Sequence, residues 1–411
     1  MIYLKKVQTL QGDSVDIELS SNSEITIDAK GLLLLPALID PHVHLRTPGL
    51  EYKEDWKTAA KAAIYGGITT VFDMPNTIPA TISYKRLLEK KQLIEEQLSS
   101  VNIPLRFGLY LGADKNHFHE IAACKDLIIG LKLFMGSSTG DLLIDDESHL
   151  HAIFSLAASH DLLLAVHAED ETLMRERKKL FPNADPCNHS IIRNEEVALR
   201  ATQKALELAK IYKTRLYLLH IGTKAELEAI RRAKESGVKV FAETTPHHLF
   251  LTIDSYKTHG TKVQMNPPIR SQENVDALWE AIKTGVIDTI GSDHAPHTLE
   301  EKNRPYGEAP SGIPGLETTL PLLLNAHNEG KLSLSTIVRL MREKPLEIFR
   351  QPANDDYILV DLHKTKIIEP KLLKTKCGWS PYEGRQLKGW PVITILRGQI
   401  YELVSEEAPV I

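Results

Sequence analysis

Cysteine is scarce in this chain. Its 411 residues include three, Cys124, Cys187 and Cys377, which are far apart and form no C-x-x-C pair. That excludes a disulfide framework and a paired-thiolate zinc site, and it fits a reducing compartment. Long apolar runs are also missing. None approaches the roughly 20 residues that span a bilayer, and residues 1–6 lack the apolar centre of a signal peptide. Nor is there an excess of positive charge. With 49 Lys and Arg against 54 Asp and Glu, the net charge is -5. This argues against a nucleic-acid footprint or a polybasic membrane patch. No internal repeat, low-complexity tract or G-x-G-x-x-G after the first candidate strand is present. The expectation is a cytoplasmic enzyme acting on a small molecule, without nucleic acid or membrane, and with a homodimer as candidate assembly.

What is present has a clear rhythm. Residues 1–35 hold short alternating segments, such as Val15, Ile17 and Leu19, broken by polar turns; these read as antiparallel strand. From Leu38 onward the pattern becomes strand, helix, strand, helix. Candidate strands start at Leu38 and cover 69–74, 105–111, 128–134, 162–166, 216–219, 239–243 and 289–292. Helical patterns lie between them at 54–65, 83–98, 145–160, 195–209, 224–236 and 272–284. Eight strands alternating with helices over about 300 residues predict a closed parallel (β/α)8 barrel of the TIM type. After about Pro345 the helices stop, and 357–361, 392–396 and 399–403 read as strand again. The expected organisation is a barrel over 36–345 and a small β-sandwich-like domain built from 1–35 and 346–411.

In such a barrel the chemistry sits at the C-terminal ends of the strands. Strand one ends in Asp40-Pro41-His42-Val43-His44-Leu45-Arg46. Residues two apart on a strand share a face, so His42 and His44 aim at one point and Arg46 follows on the same side. Strand five ends in His167, strand six in His220, and strand eight runs into Asp293-His294-Ala295-Pro296-His297. Any one of these histidines alone would read as a packed core residue. Four of them with Asp293, at matching strand ends, have the donors for two divalent ions.

Lys132 lies inside an otherwise apolar strand, Gly130-Leu131-Lys132-Leu133-Phe134. Burial of an unpaired ammonium is costly and lowers its pKa. A neutral amine can add carbon dioxide to give an anionic carbamate, whose two oxygens could bridge two cations. The plainer alternatives are a lysine that reaches solvent or one that pairs with Asp293. The next loop, Gly136-Ser137-Ser138-Thr139-Gly140, is small and hydroxylated, and reads either as a lid offering Ser138 or Thr139 or as an ordinary connection.

These segments, together with Met74-Pro75-Asn76-Thr77, His167-Ala168-Glu169, Leu219-His220-Ile221, Pro246-His247-His248-Leu249, Asn266-Pro267-Pro268-Ile269-Arg270 and Gly312-Ile313-Pro314-Gly315-Leu316-Glu317-Thr318, carry a resemblance. The chain resembles the dihydroorotases of the amidohydrolase superfamily, of the lysine-carbamate type, over nearly the whole barrel. The H-x-H pair and the strand-eight aspartate are common to many amidohydrolases. His-Leu-Arg with Met-Pro-Asn-Thr and Asn-Pro-Pro-x-Arg is the more particular signal. Thr47 and Gly222 depart from the family pattern, at positions that hold no metal.

The resemblance implies two metals, zinc in kind. His42, His44 and Asp293 would hold one, and His167 and His220 the other, with carboxylated Lys132 and a hydroxide between them. It further implies that Arg46, Asn76 and Asn266 hold a substrate carboxylate, and that His297 with the backbone at Ser311 and Gly312 holds the ring edge. The implied reaction is reversible hydrolysis of L-dihydroorotate to N-carbamoyl-L-aspartate in pyrimidine (UMP) synthesis, with Asp293 as proton shuttle. Two rivals are a hydantoinase or allantoinase, which would not need that carboxylate clamp, and a metal-free relative serving as an inactive subunit. His117, His119, His149, His151, His160, His189, His259 and His327 receive no role, and His247 and His248 are expected to support ligands.

Overall fold

A computed structural model of the chain describes residues 1–21, 24–138 and 142–403. Thr139 lies outside these described residues.

The first four strands are β1 (Ile2–Gln8), β2 (Ser14–Leu19), β3 (Ile25–Asp28) and β4 (Leu33–Pro36). The next eight are β5 (Leu38–Val43), β6 (Ile68–Asp73), β7 (Arg106–Gly112), β8 (Gly130–Phe134), β9 (Leu163–His167), β10 (Arg215–Leu218), β11 (Val240–Thr244) and β12 (Thr289–Ile290). They pair in sequence order, each parallel to the next. Behind β12 a parallel bridge joins His294 to Val43, and His44 N donates to His294 O at 2.7 Å, bringing the last strand back to the first. Asp40 pins the same seam, accepting from the backbone N of His42 at 3.2 Å and of Ser292 at 3.0 Å. Burial raises its carboxyl to about 6.

Alternation along the strands sorts the core into an inside and an outside. Ile39, Phe72, Tyr110, Leu163, Ala165 and Tyr217 form one buried cluster within the barrel. Phe349 closes it, its ring 4.8, 6.2 and 5.2 Å from those of Phe72, Tyr110 and Tyr217. Leu131, Leu133, Leu164, Val166, Leu216 and Leu218 belong to a second cluster, packed under the helices. Lys132 shares the inward phase of β8 with Gly130 and Phe134, which is how a lysine comes to lie inside the barrel.

The helices follow their sequence signals. Asp55 caps Trp56–Tyr65 by accepting from the backbone N of Lys57 and Thr58, so that helix starts two residues later than the apolar pattern suggests. Thr223 and Glu226 form a capping box at Lys224–Glu235. Helices at Thr319–Asn328 and Leu334–Val338, which the sequence reading did not mark, follow the last barrel strand. Among the described residues no helix is long and apolar enough to cross a membrane.

The chain ends meet in one seven-stranded sheet. Three further strands, β13 (Tyr357–Ile367), β14 (Gln386–Leu396) and β15 (Gln399–Glu402), complete it in the order β15-β14-β13-β4-β1-β2, with β3 on β1. The join is antiparallel β13 on β4, with Leu359 opposite Leu34. Ile2, Leu4, Val7, Leu19, Leu359 and Ile395 form its core.

Candidate metal centre and substrate cleft

One cleft, with about 370 Å³ of empty volume, opens at the C-terminal ends of the barrel strands. Its lining includes His42, His44, Lys132, His167, His220 and Asp293, and also Arg46, Asn76, Ser138, Asn266, Ser311 and Gly312. Three of these residues have left-handed backbone: Arg46 (φ 66°), His220 (φ 41°) and Asp293 (φ 47°). For non-glycine residues that conformation costs on the order of 1–3 kcal/mol each and is concentrated where function requires it. It also corrects the simple alternation expected of Arg46. Strand β5 ends at Val43, and the guanidinium reaches the cleft through a turn.

His42 Nε2 and His44 Nε2 lie 3.2 and 3.1 Å from Asp293 Oδ1, and donor atoms of all three residues lie within 4.8 Å of one another. The ring orientations are fixed from behind. His42 Nδ1 donates to Glu243 Oε1 at 2.7 Å, and Glu243 Oε2 accepts from Tyr217 Oη at 2.7 Å. His44 Nδ1 donates to Asn76 Oδ1 at 2.8 Å. Each Nε2 is therefore a bare lone pair aimed at the same place. Burial pushes the His44 imidazole down to about 3, so it stays neutral.

Opposite this group, His167 Nδ1 and His220 Nε2 are 3.0 Å apart. His167 Nε2 donates to Glu169 Oε2 at 2.9 Å, and Arg193 pairs with the same oxygen. Burial depresses both imidazoles. His167 Nδ1 is thus unprotonated, and His220 Nδ1 has no hydrogen-bond partner. His220 Nε2 can donate to His167 Nδ1; with the proton moved to its unpartnered Nδ1, His220 would instead turn an Nε2 lone pair, beside that of His167 Nδ1, towards a shared cation.

Lys132 is 1% exposed and has no ion pair among the described residues. Its Nζ lies 4.5 Å over the Phe134 ring. Burial lowers its pKa to about 7, opposed by Asp293 and Glu243. Neither plain alternative holds here, because the side chain neither reaches solvent nor sits in contact with Asp293. A substantial fraction is neutral amine near pH 7, as addition of carbon dioxide requires. Four imidazoles, a carboxylate and this amine fit a two-metal centre.

The rest of the cleft presents donors. Arg46 is buried, and burial lowers it only to about 10, so it remains charged. Its Nε donates to Pro296 O at 3.0 Å, and no carboxylate pairs with it among the described residues. Its Nη2 is 3.1 Å from His297 Nε2. Lys53 Nζ, which can only donate, lies 2.9 Å from His297 Nδ1, and His297 Nε2 donates to Ser311 O at 3.0 Å. The Arg46–His297 contact therefore joins two donors and gives the arginine no acceptor. Asn76 and Asn266 have their carbonyl ends engaged by His44 Nδ1 and by His189 Nε2, the latter at 3.1 Å. Gly312 has φ 137°, and a Cβ there would come within 2.5 Å of Ala295 O, so this cleft wall requires glycine.

Several supporting residues lie outside the set expected from the sequence. Glu243 and Glu169 carried a usable signal, being acids at or just beyond the end of an apolar strand. Arg193, whose Nη2 also donates to Ser137 O at 2.5 Å, and Lys53 carried none. His248 bonds Thr245 Oγ1 at 2.8 Å and Pro268 O at 3.2 Å. A Cβ on Gly222 would come within 2.9 Å of its ring, which accounts for glycine at that departure from the family pattern.

Residues 33–351 match the amidohydrolase family. A dihydroorotase of Methanosphaera stadtmanae is 36% identical over 390 residues, covering 91% of this chain and 86% of that one. A dihydroorotase of Pyrococcus furiosus is 34% identical over 403 residues, covering 96% and 86%. Among solved structures, an L-hydantoinase from Arthrobacter aurescens superposes with a TM-score of 0.91 at 29% identity, covering 100% of this chain and 97% of its own. With these likenesses spanning the barrel and the cleft, the chain belongs to the amidohydrolase family, among its dihydroorotases, and is a hydrolase of cyclic amides.

Proposed function

We propose that the protein catalyses the reversible hydrolysis of L-dihydroorotate to N-carbamoyl-L-aspartate, a step of pyrimidine synthesis. The observation that carries this reading is Arg46, a buried, charged guanidinium that no carboxylate pairs among the described residues, beside a cluster of metal-ligand type. Guanidinium matches carboxylate in a two-pronged geometry. The donor ends of Asn76 and Asn266 add to the same preference for an anion.

His42, His44 and Asp293 would hold one divalent cation, His167 and His220 a second, and carboxylated Lys132 would join them; zinc suits this donor set. Bound there, such cations acidify water and polarise the ring carbonyl. Carboxylation of Lys132 joins its neutral amine to carbon dioxide and releases one proton. Arg46 and the asparagines anchor the substrate carboxylate, which sets the ring amide against Asp293. Asp293 takes the proton of the attacking water and delivers it to the departing ring nitrogen. Ring closure runs the same path backwards. It consumes a proton, because a carboxylate and a ureido group become a neutral ring amide, so lower pH favours closure.

The hydantoinase reading is favoured by the superposition on the Arthrobacter enzyme. Arg46→Met separates the two. Hydrogen bonds to charged groups contribute roughly 1.5–3 kcal/mol each. The variant is therefore expected to retain its metals and to lose on the order of tenfold to several hundredfold in kcat/KM for dihydroorotate. Unchanged kcat/KM in the variant would remove the carboxylate clamp.

A further inference from the structure

His189 received no role from the sequence, yet it sits behind the substrate side of the cleft. It is 4% exposed, on the short helix His189–Ile192. Its Nε2 lies 2.9 Å from Met265 O and 3.1 Å from Asn266 Oδ1, and its Nδ1 lies 3.0 Å from Tyr306 Oη. Burial, with Arg193 nearby, pushes its pKa down to about 3, so the ring is neutral and carries one N–H. Both partners of Nε2 are oxygens that can only accept, so the proton is on Nε2. Nδ1 is then the acceptor, and the Tyr306 hydroxyl donates to it. The relay is thus directional, from Tyr306 to His189 to Asn266.

We propose that His189 is a positioning residue for substrate recognition: it engages the carbonyl end of the Asn266 amide and so commits the NH2 end to the cleft. An asparagine free to turn over would present a carbonyl oxygen to the substrate carboxylate and repel it. The proposal rests on the dihydroorotase reading, because it takes the group facing Asn266 to be an anion.

The test is a double-mutant cycle with His189→Leu and Asn266→Ala, measured with dihydroorotate, with Tm and metal content followed in parallel. Turnover of dihydroorotate by the unmutated enzyme is the control, and its failure would count against the functional reading itself. Given that control, His189→Leu is expected to raise KM about tenfold, the scale of one charge-assisted hydrogen bond. Its effect on kcat should stay within about threefold, with the metals retained. In the Asn266→Ala background the same change should have almost no effect, since no amide remains to orient. His189→Gln, which can place an N–H near the Nε2 position, should recover most of the loss and serves if the leucine variant folds poorly. A KM increase of equal size in both backgrounds, or no increase in the single variant, would overturn the proposal.

Discussion

Asp293→Asn is expected to lower turnover by roughly 10²–10⁴ in both directions, the range of a positioned general acid or base. The substitution is nearly isosteric and removes only the capacity to gain and lose a proton. Asparagine tolerates left-handed backbone about as well as aspartate, so the φ of 47° at this position is no obstacle. An amide oxygen can still face His42 Nε2 and His44 Nε2, now 3.2 and 3.1 Å from Asp293 Oδ1. The fold should therefore persist, as circular dichroism and Tm would show. Steady-state rates for hydrolysis and closure, alongside metal content, check the result. A loss below about tenfold with the metals in place would take Asp293 out of proton transfer.

Lys132→Ala should remove at least one metal and reduce turnover to near background. Among the described residues the lysine has no ion pair to lose, and its ammonium is disfavoured where it lies. Truncation should consequently spare the fold while deleting the one group that could become a bridging anion. The space left inside the barrel faces the same ligands, so acetate or propionate in the buffer should restore part of the metal content and part of the activity. Elemental analysis with and without the added acid is the measurement. Full metal content and full activity in the variant, without added acid, would show that no carbamate is needed.

The strand-and-helix rhythm was legible because burial on both faces writes parallel strands as apolar runs, and helices as amphipathic stretches. The ligand-type residues were legible for a related reason: His167 and Lys132 interrupt such runs and stand out. Less was legible where the backbone leaves regular geometry. Strand β12 is only two residues long, because Gly291 and Ser292 already turn towards the seam that Asp40 pins. A Cβ on Gly291 would come within 2.4 Å of Glu243 Oε2, a constraint that only the folded barrel reveals. The left-handed turns at Arg46, His220 and Asp293 have no periodic signature, so alternation gives the correct side for Arg46 but the wrong route. His189 could not be found from the sequence, since it and Asn266 are brought together from distant parts of the chain by folding. In the end sheet, β13 and β14 run on past their apolar halves into polar, half-exposed residues. Pairing with each other holds those outer halves in the sheet, where composition alone reads as loop.

Substrate choice is the most direct test. The unmutated protein, with metal content determined, should be given dihydroorotate and, at matched concentrations, dihydrouracil, hydantoin and allantoin. Dihydrouracil is the same ring without the carboxylate, so it isolates the contribution of Arg46, Asn76 and Asn266. The expected result is strong preference for dihydroorotate, at least of the size lost in Arg46→Met. Turnover of dihydrouracil, hydantoin or allantoin as fast as dihydroorotate would contradict the carboxylate clamp, and with it the assignment of this cleft to dihydroorotate.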